Sequence, residues 1–239
     1  MSNHINAKKE QISKTVFMAG DPLRVKFFVE KYLNDYEIVN TVRNETAYTG
    51  YYKNKRVTIF SHGMGMDSIG IYAYELFSEY EVENIIRFGS AGTYSKDIDL
   101  LDLVIADNAY TESNYGLAFG ETKNTLPASK YLLEAANKII SNDFSNDKRI
   151  KHTTVHSSMW FYTKPGFIVP KEMDDKSIKA VEMEAYSLYS IAKYFNKNAL
   201  TILTISDSLL TYEGICHTDR ENKFELMFNF ILKMIEELI

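Results

Sequence analysis

A chain of 239 residues, 45% apolar and 25% charged, has the size and make-up of one globular domain with an ample core. Its net charge of −5 argues against a nucleic-acid binder driven by a basic surface, although a local cationic pocket remains open. The single cysteine, Cys216, excludes an intramolecular disulfide, and with no Cys/His signature around it reads as an incidental thiol.

The first ten residues are polar and lack the apolar core of a signal peptide, so the expected location is the cytoplasm. Thr15–Met18 is a short apolar run that stops at Gly20-Asp21-Pro22, which predicts a strand and a turn. Arg56–Phe60 is β-branched and aromatic and precedes Ser61-His62-Gly63-Met64-Gly65. Ile69, Tyr72, Ala73, Leu76, Phe77 and Tyr80 then recur at helical spacing. Ile85-Ile86-Arg87-Phe88-Gly89-Ser90-Ala91-Gly92 reads as a buried strand running into a glycine-rich loop. Leu103–Ala106 predicts a strand and Leu132–Ile140 a helix. Thr153–Val155 is a strand, 188–195 a helical face, and Leu200–Ile205 a strongly strand-forming run. Phe224, Met227, Phe228, Ile231, Ile235 and Leu238 make a C-terminal amphipathic helix. The alternation implies one α/β domain over 1–239, with a largely parallel or mixed sheet. In such folds ligands sit at the carboxyl ends of strands.

Polar residues at those ends therefore carry the chemistry. Arg87 offers a planar fork of donors and Ser90 a hydroxyl, suited to a phosphate-like anion, though the same glycines also suit a plain turn. The loop lacks the Gly-Lys-Ser/Thr ending of a triphosphate-binding loop. Gly20 and Arg24 repeat the pattern after the first strand, where Pro22 opens a helix whose N-terminal end favours anions; a plain Asp-Pro turn is the alternative. Glu182 and Glu184 flank Met183 where a helix begins. They read either as acids suited to the helix dipole or as paired acceptors for vicinal hydroxyls, as on a ribose. Asp207 closes the strongest strand, positioned for general-acid work or for capping a turn, with Arg220 thirteen residues on. His62, His152, His156 and His217 lack metal-ligand spacing, so no metal is expected, and His152 and His156 read as ordinary strand or loop histidines.

Asn3–Ala7, Gly20–Arg24, His62–Gly65, Ile86–Gly92, Val181–Ala185 and Ser206-Asp207 occur in order and at suitable spacing. On this set the chain resembles the bacterial-type, hexameric purine nucleoside phosphorylases of the nucleoside phosphorylase superfamily, from about residue 3 to the C-terminus. The resemblance implies a three-layer αβα fold with a central mixed sheet. It implies phosphate binding by Gly20, Arg24, Arg87 and Ser90, with Arg43 from a neighbouring subunit. It places His4, also from the neighbour, by the ribose 5′-hydroxyl, and Met183 and Glu184 on the ribose with Glu182 nearby. Phe161 and Val181 are implied to contact the base. Asp207 is implied to be the general acid at purine N7, assisted by Arg220. The implied assembly is a trimer of dimers, with phosphate as co-substrate and no cofactor, nucleic acid or membrane. Departures from the family pattern are Ala19 before Gly20, Glu112 where aspartate is common, and the poorly matching segments 114–127 and 214–217. A nucleoside hydrolase, a uridine phosphorylase and a non-catalytic nucleoside or phosphate sensor are the rival readings.

Overall fold

The computed structural model describes residues 2–216 and 224–239. Ten strands form one mixed sheet in the order β10–β6–β8–β9–β5–β1–β4–β3–β2, with β7 on β6. The first half of the chain supplies β1 (Thr15–Ala19), α1 (Pro22–Tyr32), β2 (Asn34–Asn40), β3 (Ala47–Tyr52), β4 (Lys55–Ser61), α2 (Met66–Glu79), β5 (Asn84–Thr93) and β6 (Leu103–Tyr110). The second half supplies β7 (Thr125–Pro127), α3 (Lys130–Asp143), β8 (Ile150–Ser157), α4 (Pro170–Asp175), β9 (Ile178–Glu182), α5 (Ala185–Tyr194), β10 (Asn198–Ser208) and α6 (Glu225–Leu238).

Helices cover both faces of the sheet, giving the expected three layers. On one face α1, α3 and α6 meet: Phe28 packs 5.7 Å from Phe228 and Phe144 5.6 Å from Phe230, ring centre to ring centre. On the other α2 and α5 meet, with Tyr74 4.9 Å from Phe195. The central strands β1, β5 and β10 are buried along nearly their whole length, whereas β2 at the sheet's edge is mostly exposed. Such two-sided burial selects continuous apolar runs, and these are the strands the sequence announces.

One departure from expectation positions the site. Residues 86–92 are not a loop; they continue β5 to Thr93. The reason is β10, which pairs in parallel with β5 from Asn84 to Thr93. On its other edge β5 changes partner. Residues 84–87 pair with β1, and Gly92 and Thr93 pair with β9. Between Arg87 and Gly92 that edge has no ladder partner, so the sheet forks there. Beyond the fork, β5, β10, β6, β8 and β9 pair in a closed ring. β9 itself is only five residues long and escaped the sequence reading.

Candidate active site

Arg87 is buried at the fork. Its Nη2 donates to Glu184 Oε2, and its Nη1 lies 3.3 Å from Glu182 Oε2. Nε and Nη1 have no hydrogen-bond partner. Gly89 is what gives the guanidinium its place: a Cβ there would stand 3.1–3.2 Å from it. The glycine thus serves close approach, not a left-handed turn. Positive φ belongs instead to Gly63 and Gly65, in the link that brings β4 into α2.

The two carboxylates differ in their duties. Glu182 ends β9 and is saturated. It accepts from Ser157 Oγ, from the Glu184 N–H at 2.9 Å and from the Ala185 N–H. Burial pushes its carboxyl up, against the pull of Arg87. Glu184, at the N-terminal cap of α5, accepts the Gly65 N–H at 2.6 Å as well as Arg87. It therefore ties the α2 and α5 ends to β5. Met183 between them is partly exposed.

Around this pair the strand ends converge. Asp21 caps α1 by accepting the Leu23 N–H, and Pro22 opens the helix, as the sequence predicts. Arg24, in the first turn of α1, is buried, with its guanidinium 5.0 Å from the Phe224 ring centre. Gly20 allows the β1 end to press on the β4–α2 link: a Cβ would lie 2.7 Å from the Gly63 carbonyl. His62, fully buried in the same link, has both ring nitrogens without partners. Burial, then the charge of Arg87, holds its pKa well below the ordinary histidine value, so it is a neutral ring. Ser90 lies in the unpaired stretch of β5 and is partly exposed.

Across the ring, Tyr110, His156, Val181, Gly92 and Asp207 are successive register partners and project from one face. Gly92 leaves a gap that Leu209, Asp207 and Val181 fill, since a Cβ would stand 2.5 Å from Leu209 Cδ1, 2.7 Å from Asp207 Oδ2 and 3.2 Å from Val181 Cγ1. Asp207 Oδ1 accepts from Ser206 Oγ at 2.7 Å. Phe161 follows β8 and is 68% exposed. Arg220 and His217 lie outside the described residues.

Two expected residues stand apart. His4 pairs through Nδ1 with Glu75 at 2.8 Å, and Arg43 is exposed in a left-handed conformation. Among the described residues neither bonds to Arg87, Glu182 or Glu184. Sequence reasoning missed Ser157, the Gly65 N–H and the buried state of His62; only the last had a signal, in the glycines that flank it. His156 and His152, read from the sequence as ordinary strand or loop histidines, both lie in β8; His156 hydrogen-bonds Tyr94 and Glu112, and His152 bonds Asp107 at 2.7 Å.

Comparison with known proteins agrees with this geometry. The family described as the phosphorylase superfamily matches residues 14–239. A DeoD-type purine nucleoside phosphorylase of Mycoplasma genitalium is 42% identical over the whole of both chains. This chain belongs to the DeoD-type purine nucleoside phosphorylase family. Another member, from Alkaliphilus metalliredigens, is 39% identical over 99% of this chain and all of its own. The family fold is evident too. The purine nucleoside phosphorylase of Toxoplasma gondii, solved with immucillin-H, superposes with a TM-score of 0.88 over 100% of this chain and 96% of its own, at 19% identity. As a family member of this fold, the protein carries its unpaired β5 edge and Asp207 at strand carboxyl ends, where an α/β sheet places its ligands. Among the described residues no helix is long and apolar enough to cross a membrane. Nor is any group of three or more His, Cys, Asp or Glu arranged to hold a metal.

Proposed function

We propose that this protein catalyses reversible phosphorolysis of purine (deoxy)ribonucleosides to free purine and (deoxy)ribose 1-phosphate. One observation carries the reading beyond family membership: a buried arginine, bonded to Glu184 on one side, whose Nε has no hydrogen-bond partner and whose Nη1 has only its 3.3 Å ion pair with Glu182, beside an open strand edge. Buried donors of that kind are costly unless a ligand completes them. Inorganic phosphate fits, held by Arg87, Arg24, Ser90 and the Gly20 backbone. Its oxygen attacks C1′, the C1′–N9 bond breaks with its electron pair passing to the purine, and Asp207 delivers a proton to N7. The base then leaves neutral, and the phosphate charge stabilises the oxocarbenium-like sugar.

Glu184 and Met183 hold the ribose, Val181 and Phe161 border the base, and Glu182 fixes Arg87. Arg220 assists Asp207. His4 and Arg43, which bond to none of Arg87, Glu182 and Glu184 within one chain, enter the site of a neighbouring protomer, so the working unit is at least a dimer and the assembly a trimer of dimers. No cofactor takes part, and the reaction runs in the cytoplasm.

The test is release of free base from inosine, adenosine and uridine with and without phosphate. Phosphate-dependent release from the purine nucleosides is expected. Phosphate-independent release identifies a hydrolase, preference for uridine a uridine phosphorylase, and no release a sensor.

A further inference from the structure

A second polar cluster, buried at Tyr94 and His156 and reaching the surface at Glu112, starts from the same face of the ring as Asp207, and the reaction as described does not use it. The Tyr94 hydroxyl is 2.9 Å from His156 Nδ1. His156 Nε2 is hydrogen-bonded to Glu112 Oε2. Tyr94 and His156 are both buried, the imidazole packing 5.6 Å from the Tyr110 ring. The Glu112 carboxylate can only accept, so His156 donates to it from Nε2, and the Tyr94 hydroxyl pairs with Nδ1. Burial raises the phenol pKa of Tyr94, which keeps its proton.

The chain ends at a backbone group. Glu112 Oε1 accepts the Met159 N–H at 3.3 Å. Met159 opens the exposed segment Met159-Trp160-Phe161-Tyr162, which follows β8. His156 sits in register with Val181, the residue across the gap from Asp207. The polar chain thus runs from the ring interior to the start of the segment that carries Phe161. With its Tyr94–His156 half buried, a continuous hydrogen-bonded chain of this kind rigidifies what it touches. An apolar residue at 156 would fill the space but would leave Glu112 without the partner that fixes it on Met159.

We propose that the Tyr94–His156–Glu112 chain anchors the Met159–Tyr162 segment over the base, making Glu112 a positioning residue for purine binding. The assignment rests on the phosphorolysis reading for its substrate. The anchor itself has a separate readout, because Trp160 is the only tryptophan in the chain and lies inside the segment.

The experiment compares Glu112→Ala and Glu112→Gln with the unaltered protein. In Glu112→Ala the nucleoside KM rises about tenfold, as for loss of a charged hydrogen-bond acceptor. Phosphate KM and kcat stay within about twofold, the signature of lost uniform binding. Acrylamide quenching of Trp160 fluorescence rises at least about twofold. Glu112→Gln keeps one acceptor oxygen for two donors and shifts both readouts in the same direction by less; it carries the test if the alanine variant does not fold. A folded variant in which nucleoside KM or Trp160 quenching stays at the starting value overturns the proposal, as does an equal rise in both KM values. Should the unaltered protein release no base, the phosphorolysis reading fails, while Trp160 quenching still decides the anchor.

Discussion

Asp207→Asn lowers turnover of a 6-oxopurine nucleoside by about 100- to 10,000-fold, the range for a positioned general acid, while the phosphate KM stays within about twofold. Asparagine preserves the size of the side chain and can still accept from Ser206 Oγ, which donates to Asp207 Oδ1 at 2.7 Å. What it lacks is a proton of suitable acidity for N7. In the proposed site phosphate sits on the β1 side of the fork, at Arg87, Arg24, Ser90 and Gly20, so its saturation curve is expected to be insulated from the change. Steady-state kinetics at saturating phosphate measure the effect. Turnover near that of the unaltered protein removes Asp207 from the role of acid.

Arg87→Ala acts on two properties at once. In the proposed site its guanidinium donates charged hydrogen bonds to phosphate, worth about 1.5–3 kcal/mol each, so the phosphate KM is expected to rise by at least about tenfold. The same group is the counter-ion of two buried carboxylates, Glu182 and Glu184. Removing one partner of a buried ion pair costs about 3–5 kcal/mol, because the remaining charge is stranded. The pH dependence has a definite sign. Burial already raises the Glu182 carboxyl above its ordinary value, and loss of Arg87 removes the interaction that opposes this. A carboxyl raised in the folded state destabilises increasingly as pH climbs from its unfolded value through the folded one. The stability deficit of the variant is therefore largest near neutrality and shrinks on acidification. Arg87→Lys restores part of the stability as a point charge, but not the forked grip on phosphate. Urea unfolding at two pH values and phosphate saturation curves report the two effects. An unchanged phosphate KM, or a deficit that grows on acidification, contradicts the assignment.

Much of this was legible in the sequence because the decisive strands are buried on both faces. Thr15–Ala19, Lys55–Ser61 and Asn198–Ser208 announce themselves as apolar runs ending in Gly20, His62 and Asp207. The Asp21 cap and Pro22 mark the α1 terminus beside Arg24. The role of Gly89 and Gly92 was not legible. Glycine in a one-dimensional reading signals a turn, whereas here both lie in a strand and make room for neighbours supplied by long-range pairing. The partner exchange along β5 is invisible for the same reason, since it depends on which strands arrive at its edge. The pairing of Arg87 with Glu182 and Glu184 spans more than ninety residues, and the Glu112–His156 bond joins the segment after β6 to β8, which are neighbours only in the folded ring. Local patterns identify the participants at such sites, while the tertiary fold assigns their partners.

The central claim is that phosphate, held at the β5 fork, is the nucleophile at C1′. Phosphorus NMR of the protein with inosine and inorganic phosphate tests it most directly. The expected result is a pentose 1-phosphate resonance growing in equal amount to the free base, with matching loss of inorganic phosphate. Free base appearing while the inorganic phosphate signal stays constant would contradict the account.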